Sequence, residues 1–249
     1  MNIDLVGKRA VVAGGSRGIG RAIALAFAEA GAGVSICARG AEALATARED
    51  ITRHGGNAHA AVCDLADAAA VARYIEDAAG ALGGIDILVN NASGFGTSDD
   101  EAGWAISISV DLLATVRATR AALPFLEKSE AGSIVNISSI SGFRASARTP
   151  PYGAVKAAIL EYTQTSAAQF AKKGIRVNCI APGSIEFPGG TWERAKNHNP
   201  NLYNAILRSI PFGRLGRPEE VARVALFLCS PLAGWVTGQN IAVDGGQML

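Results

Sequence analysis

The stretch RAVVAGGSRGIGRAIALAFAEAG, residues 9–31, places a short apolar run, a glycine-rich turn and an amphipathic segment in direct succession. The apolar run predicts a buried strand, and the amphipathic segment predicts a helix. A strand, a glycine turn and a helix N-terminus together form a diphosphate site, because backbone N–H groups and the helix dipole face the anion. The glycine spacing is GxxxGxG. Alone this spacing is weak evidence, since glycine turns also simply connect strands to helices.

The same order of strand and helix repeats along the rest of the chain. Strands that alternate with helices predict a parallel sheet covered on both faces, with right-handed crossovers. We therefore expect an α/β protein, a single-domain doubly wound Rossmann fold over residues 1–249 with a seven-stranded parallel sheet. The predicted strands are Arg9–Ala13, Val34–Ala38, Ala58–Val62, Ile85–Val89, Ser133–Ile137, Arg176–Ile180 and Asn240–Val243. The predicted helices are Arg21–Ala30, Glu42–His54, Ala68–Gly80, Trp104–Leu126, Tyr152–Lys172 and Pro218–Cys229.

Composition and charge exclude several classes of protein. Hydrophobic residues make up 49% and charged residues 18% of the 249 residues, which excludes intrinsic disorder. With 23 basic and 22 acidic residues, the chain has no field that would attract nucleic acid or an anionic membrane. We find no signal-peptide layout, no apolar run near the ~20 residues of a membrane helix, and no cysteine or histidine spacing typical of metal sites. We expect a soluble cytoplasmic protein with free buried thiols and no metal.

The end of the second predicted strand bears on the choice of dinucleotide. NAD-binding folds usually place an acidic residue there, which accepts hydrogen bonds from the adenosine ribose. This chain has Arg39 instead, with Arg17 in the glycine turn. Two guanidinium groups suit a 2′-phosphate, because arginine binds phosphate oxygens in a fixed fork. The alternative is a pair of solvated arginines, and we favour NADP(H) over NAD(H).

Polar side chains follow the third and fourth predicted strands. Asp64 either accepts a hydrogen bond from an adenine amino group or caps the helix that begins near Asp67. Asn90 and Asn91 either tie loops together or contact a ligand. Both readings stay open for each position.

Tyr152 and Lys156 stand four residues apart at the start of a predicted helix, so they share one face of it. A nearby ammonium group favours tyrosinate and makes the phenol a competent proton donor or acceptor near neutral pH. Such a pair also arises by chance. Ser139 closes the fifth predicted strand, and a short loop from it into the helix can bring hydroxyl and phenol to one carbonyl oxygen.

The segment 184–211 interrupts the alternation of strands and helices. It contains Pro188, Gly189, Gly190 and Pro200, and we predict a long irregular excursion. Such excursions are often substrate lids, and a loosely packed surface insertion is the alternative.

Taken together, these motifs resemble the short-chain dehydrogenase/reductase family, in particular its 3-oxoacyl-(acyl-carrier-protein) reductase-like members. The resemblance covers essentially the whole chain, and it is specific because the strings keep their order and spacing. They are GGSRGIG at 14–20, CDL at 63–65, NNAS at 90–93, ISS at 137–139, YxxxK at 152–156, NCIAPG at 178–183, RLGRPEEVA at 214–222 and VTGQNIAVDGG at 236–246.

The resemblance implies a role for each matching residue. Ser139 would hold the substrate oxygen, Tyr152 would exchange its proton, and Lys156 would bind the nicotinamide ribose and assist the tyrosine. Asp64 would contact adenine, and Asn90 would support the nicotinamide end. The implied cofactor site comprises Gly14, Ser16, Arg17, Gly18, Ile19, Gly20, Arg39, Asp64, Leu65, Asn91, Ala92, Tyr152, Lys156, Pro182, Gly183 and Ile185.

The chain departs from the family pattern at Ala13, Ser93, Phe187 and Asp111, where the family usually has Thr, Gly, Thr and a catalytic Asn. In the family that Asn holds a water linking the lysine to solvent. The charge of Asp111 would offset part of the ammonium's effect, so we expect retained activity with an alkaline-shifted pH profile. The alternative is that Asp111 is an ordinary helix residue.

We predict an NADP(H)-dependent oxidoreductase that interconverts a ketone and a secondary alcohol. The basic stretch 191–217 either receives an acyl carrier protein or a coenzyme A phosphate, as a 3-oxoacyl thioester would require, or is an ordinary solvated face. Trp192 and Phe187 equally suit an aromatic or alicyclic ketone. The alternative function is a catalytically impaired cofactor-binding or sensor protein of the same fold. The resemblance also implies a homotetramer, although the small apolar face of the Tyr152 helix could instead pack within the chain.

Overall fold

The central sheet is built from short runs of small and β-branched apolar residues. In the computed structural model, which describes residues 3–54 and 57–249, the strands are β1 (Arg9–Ala13), β2 (Gly33–Ala38), β3 (Ala58–Val62), β4 (Ile87–Asn90), β5 (Ser133–Ile137), β6 (Arg176–Pro182) and β7 (Asn240–Val243). All pairings are parallel, in the order β3-β2-β1-β4-β5-β6-β7. Strands β1, β4 and β5 are almost fully buried, as expected for a sheet covered on both faces.

Helices cover both faces of the sheet, and each face has its own apolar cluster. Helices α1 and α9 pack together on one face, whereas α3 and α5 pack together on the other. This confirms the predicted doubly wound α/β fold. The helices are α1 (Gly18–Glu29), α2 (Ala41–Thr52), α3 (Ala68–Leu82), α4 (Glu101–Ile106), α5 (Ala114–Leu126), α6 (Pro150–Phe170), α7 (Thr191–His198), α8 (Pro200–Arg208) and α9 (Pro218–Cys229).

The strand order reverses between β1 and β4. Chain crossovers leave this point in opposite directions, so a crevice opens at the carboxyl ends of the strands. In open α/β sheets ligands bind in this crevice. The glycine turn follows β1 and Asn91 follows β4, so both reach the same crevice.

The predicted helix Trp104–Leu126 is helical throughout, but it is not regular. It begins at Glu101, where Asp100 accepts a hydrogen bond from the backbone N–H of Gly103 at 2.8 Å. Between α4 and α5 the chain forms a π-helical turn, Ser107–Leu113, which contains Asp111. Such turns occur often at functional sites.

The prediction of an irregular excursion over 184–211 was wrong, because α7 and α8 lie within it. Asn199 caps α8 by accepting from the backbone N–H of Leu202 at 3.2 Å, and Pro200 occupies the first turn. Proline is favoured there because the missing N–H would have no partner inside the helix. The proline that suggested irregular structure therefore starts a helix.

Other element boundaries differ from prediction by a few residues. Helix α1 begins at Gly18 rather than Arg21, so the last glycines of the turn belong to its first turn. Strand β4 begins two residues late, and β6 runs on to Pro182. Cys37, Cys63, Cys179 and Cys229 are buried free thiols, which confirms the prediction of free buried thiols.

Candidate active site

A cleft of about 1090 Å³ opens at the carboxyl ends of the strands. Its wall runs from the glycine turn, past the ends of β2 and β4, to the start of α6 and to α7 and α8. Gly18, Gly20 and Asp111 are not in this wall. The predicted site residues that line it are Gly14, Ser16, Arg17, Ile19, Arg39, Asp64, Leu65, Asn91, Ala92, Ser139, Tyr152, Lys156, Pro182, Gly183 and Ile185.

The glycine turn fits a group that must approach the backbone closely. Gly14 has φ +84°, and a Cβ there would lie 3.0 Å from the Cα of Ala92. A Cβ on Gly20 would overlap the carbonyl oxygen of Gly14, so only glycine allows α1 to start this close to β1. Gly20 therefore determines the shape of the turn although it does not line the cleft.

The N-terminus of α1 offers free backbone donors to an anion. The first turn contains no acidic residue, and the N-cap residue Arg17 makes no side-chain cap. Unpaired N–H groups and the positive end of the helix dipole attract a diphosphate. Arg17 and Arg39 line the same end of the cleft. These residues fit a dinucleotide whose phosphates lie on this turn.

The polar residues after β3 and β4 have distinct partners. Asp64 accepts from the backbone N–H of Ala66 at 3.0 Å, and Asp67 rather than Asp64 caps α3. Asn91 ties its loop to the glycine turn, donating to the carbonyl oxygen of Gly14 at 2.7 Å. Asn90 lies outside the cleft wall and donates to Thr119 and Asn136. Of the two asparagines, only Asn91 reaches the cleft.

Tyr152, Lys156 and Asp111 form one connected group at the start of α6. The ammonium of Lys156 lies 5.4 Å from the centre of the Tyr152 ring and 3.0 Å from Asp111 Oδ1, and it donates to the carbonyl oxygen of Ile137 at 3.1 Å. The other oxygen of Asp111 accepts from the backbone N–H of Gly94 at 2.8 Å. The side chains of Lys156 and Asp111 are only 2% and 0% exposed, so this is a buried ion pair.

The protonation of Lys156 is controlled by this pairing. Burial acts to lower the pKa of Lys156, but the negative charge of Asp111 and the neighbouring Tyr152 outweigh burial and raise that pKa above its ordinary value. Burial also raises the pKa of the nearby Cys179 thiol to about 12, so the thiol stays neutral. Lys156 is therefore a permanent cation beside the tyrosine at physiological pH.

Ser139 and Tyr152 are joined by a short, well-packed segment. Ser139 accepts from the backbone N–H of Ser141 at 3.1 Å, and Ser138 donates to the carbonyl oxygen of Lys156 at 2.7 Å. The ring of Phe95 meets that of Tyr152 edge-on, with centroids 4.9 Å apart. The phenol and the serine hydroxyl thus face one cleft from fixed backbone.

Comparisons with known proteins show which family the chain resembles over its whole length. A family model described as enoyl-(acyl carrier protein) reductase matches residues 13–248. The isoepoxydon dehydrogenase of Penicillium expansum is 40% identical over 99% of this chain and 96% of its own. The 3-oxoacyl-(acyl-carrier-protein) reductase of Chlamydia muridarum is 39% identical over 99% of this chain and all of its own. A short-chain dehydrogenase from Burkholderia cenocepacia, solved with NADP, is 33% identical with a TM-score of 0.91, covering 98% of this chain and 99% of its own.

The chain belongs to the short-chain dehydrogenase/reductase family. Membership confirms the family resemblance and the prediction of an NAD(P)-dependent oxidoreductase acting on CH–OH groups. Within the residues that the structure describes, no helix is long and apolar enough to cross a membrane.

Two of the departures from the family pattern change the site. Asp111 places a carboxylate against Lys156, where the family pattern has a neutral amide. Phe187 lies against the glycine turn, so that a Cβ on Gly18 would be 2.7 Å from its ring. An aromatic ring therefore lies beside Gly18 in this member of the family.

Sequence reasoning missed several residues of the cleft wall. They come from the segments before Asp111 and before Tyr152, from α8, and from the end of the chain, where Gln247 accepts from the backbone N–H of Ser184 at 2.9 Å. Two of the missed residues, Arg144 and Arg148, could have been identified from their position between Ser139 and Tyr152 in the sequence. The missed wall residues include Phe95, Arg144, Arg148, Leu202, Ile206 and Gln247.

Proposed function

We propose that this protein uses NADP(H) to interconvert a ketone and a secondary alcohol, with Tyr152 as the proton donor and acceptor. The observation that carries the proposal is the shared cleft. Tyr152, Ser139 and the buried Lys156 line the same cleft as the glycine turn. A diphosphate on that turn would extend toward the tyrosine along the carboxyl edge of the sheet.

In this proposal the residues of α6 and of the segment that follows β5 have separate roles. The hydroxyl of Ser139 holds the carbonyl oxygen, and the phenol of Tyr152 gives it a proton in reduction and takes one in oxidation. The ammonium of Lys156, fixed by Ile137 and Asp111, stabilises the phenolate and binds the ribose. The nicotinamide, when bound, supplies or accepts the hydride. The protein contributes position and a proton.

The preference for NADP(H) rests on Arg17 and Arg39. Both line the cleft where the adenosine ribose of a dinucleotide on the turn would lie, and the end of β2 carries no carboxylate to accept from a free 2′-hydroxyl. A relative of the same fold was solved with NADP, which agrees with this assignment. Asp64, which follows the neighbouring strand β3, is left for the adenine.

A cofactor and ketone panel tests the proposal. We expect NADPH to be oxidised with at least one ketone and NADH to be used less well. Arg39→Asp should raise the KM for NADPH by about tenfold or more, because a charged hydrogen bond is worth about 1.5–3 kcal/mol. Arg73→Asp, on the exposed side of α3, is the matched control. Cofactor binding without turnover of any ketone would instead favour the impaired sensor, and an NADH preference would overturn the NADP(H) assignment.

Two substrate types suit the cleft. A 3-oxoacyl thioester agrees with the name of the Chlamydia muridarum relative. An alicyclic or aromatic ketone agrees with the apolar wall from Phe187 and Trp192, and one relative is named an isoepoxydon dehydrogenase. Acetoacetyl-coenzyme A and a cyclohexanone belong in the panel for this reason.

We expect Asp111→Asn to move the pH profile of kcat toward neutral. Asp111 pairs with Lys156 and offsets part of the field that the ammonium exerts on the phenol of Tyr152. The amide keeps an acceptor for the N–H of Gly94 but carries no charge, and the field of the ammonium then acts fully on Tyr152. Rate profiles of both proteins over the same buffers measure the shift. An unchanged or more alkaline profile would contradict this role for Asp111.

The segment 184–211 is proposed as a substrate lid, because Trp192 on α7 and Ile206 on α8 face the cleft.

A homotetramer is proposed on the outer face of α6, where Ala157, Thr165 and Ala168 are exposed rather than packed within the chain. The exposed Trp235 offers a further apolar side chain for such an assembly. A cytoplasmic location stays a prediction from the sequence.

A further inference from the structure

Two arginines line the cleft beyond the proton donor. Arg144 and Arg148 lie in the segment 140–149, between Ser139 and Tyr152, and both belong to the cleft wall. The proposed mechanism uses neither. Both are exposed, so their charges are free to meet a ligand that enters the cleft.

The segment that carries the arginines is held firmly. Ser146 and Thr149 share a side-chain hydrogen bond of 2.7 Å, and the backbone N–H of Thr149 donates to the carbonyl oxygen of Ser146 at 2.9 Å. A Cβ on Gly153 would lie 2.5 Å from the Cβ of Ser146, so the segment packs against the turn of α6 that carries Tyr152. The arginines thus project from backbone fixed to the catalytic helix.

The charge of this part of the cleft is not balanced. Neither arginine forms an ion pair with a carboxylate in the described ranges 3–54 and 57–249. Arg144 donates to the backbone carbonyl oxygen of Gln247 at 3.1 Å, which is a neutral partner. The one carboxylate in the described cleft wall is Asp64, which follows β3. An uncompensated pair of guanidinium groups attracts an anion.

These two arginines lie apart from the arginines that are proposed to bind the cofactor. Arg39 follows β2 and Ser139 follows β5, three strands away in the sheet order. With about 4.8 Å between strands, the two ends of the cleft are roughly 14 Å apart. The same cleft is also lined by the apolar side chains of Trp192, Leu202 and Ile206. The cleft therefore offers both cationic and apolar side chains to a substrate.

We propose that Arg144 and Arg148 form an anion subsite, so that the preferred substrate is a ketone or secondary alcohol that carries a carboxylate or phosphate next to an apolar body. The inference rests on the proposed function, because it places the reacting carbonyl at Tyr152. The arginines bind the anionic group and leave the carbonyl to Ser139 and Tyr152. They act on substrate selection and not on the proton transfer.

A matched set of substrates tests the subsite. 5-Oxohexanoate carries a carboxylate, methyl 5-oxohexanoate is its neutral counterpart, and acetoacetyl-coenzyme A carries phosphates. We expect wild-type protein to have a KM for an anionic member about tenfold lower than for the ester, since hydrogen bonds to charged groups are the stronger ones. Arg148→Gln should remove that advantage and leave the ester unchanged. Arg148→Lys should restore part of it, and Arg73→Gln serves as the control.

The outcomes separate the subsite from the proposed function. The KM values of Arg148→Gln distinguish a carboxylate ligand from a phosphate ligand. The KM should rise for 5-oxohexanoate in the first case and for acetoacetyl-coenzyme A in the second. The subsite is wrong if acid, thioester and ester are turned over equally, or if their turnover falls equally in Arg148→Gln and Arg144→Gln. The proposed oxidoreductase activity would still hold in that case. If no probe is turned over, calorimetric binding of 5-oxohexanoate to wild-type and Arg148→Gln protein decides: equal affinity, or no binding, overturns the subsite.

Discussion

Replacing Tyr152 with phenylalanine is expected to lower kcat by about 10²–10⁴-fold, the range that a positioned proton donor contributes. The change removes one hydroxyl and keeps the ring. The edge-on contact with Phe95 and the place of the ring beside Lys156 do not depend on that hydroxyl, so the fold should be preserved and the affinity for NADPH should change far less than kcat. Steady-state rates with NADPH, together with fluorescence titration of NADPH, measure the two effects separately.

Tyr162→Phe is the matched control, because Tyr162 lies on the same helix but outside the cleft wall. It should leave the rate within about twofold of wild type, as expected for a site away from the chemistry. Should Tyr152→Phe keep more than a tenth of the wild-type rate, another group must supply the proton. Ser139, which faces the same cleft, would then be the next candidate.

Asp111→Ala is expected to cost about 3–5 kcal/mol of the free energy of unfolding, because it leaves a buried charge without its partner. Lys156 is almost fully buried, and its ammonium lies 3.0 Å from Asp111 Oδ1. The substitution also removes the acceptor for the backbone N–H of Gly94. Urea unfolding of both proteins at one pH and one protein concentration measures the difference.

A double variant separates the charge from the cavity. Asp111→Ala combined with Lys156→Met has no unpaired buried ion, so we expect it to regain a large part of the lost stability although it is inactive. Regained stability without activity would identify the ion pair as the cause. A loss below about 1 kcal/mol in Asp111→Ala would instead mean that water or another group already satisfies Lys156.

The sheet was the part of this protein that sequence reasoning predicted best. Buried parallel strands are short apolar runs, and those of β1, β3, β5 and β7 begin and end where the apolar runs do. Helix ends were less accurate, because caps and glycines decide them. Helices α7 and α8 were missed for a physical reason. Few of their residues are buried in the core, and the apolar side of α8 faces the cleft, so the usual contrast between core and solvent is weak.

The candidate site divides in a similar way. Motif positions such as Tyr152, Lys156 and Gly14 could be predicted, because the chemistry depends on residue type at a fixed spacing. The contact of Asp111 with Lys156 joins residues 45 positions apart (156 − 111), and their separation of 3.0 Å follows from packing. Arg144 and Arg148 belong to a segment without periodicity, and only its packing against α6 directs it to the cleft.

The π-helical turn at 107–113 allows one continuous helix to serve two neighbours. Each residue of an α-helix advances the side-chain direction by about 100°, so the extra residue taken up by a widened turn rotates everything after it by that angle. Downstream of the turn, α5 directs Ala118 and Ala122 to the cluster that it shares with α3, while the turn itself contacts α6. Without this angular offset, the face that packs on α3 and the carboxylate that meets Lys156 would compete for the same direction.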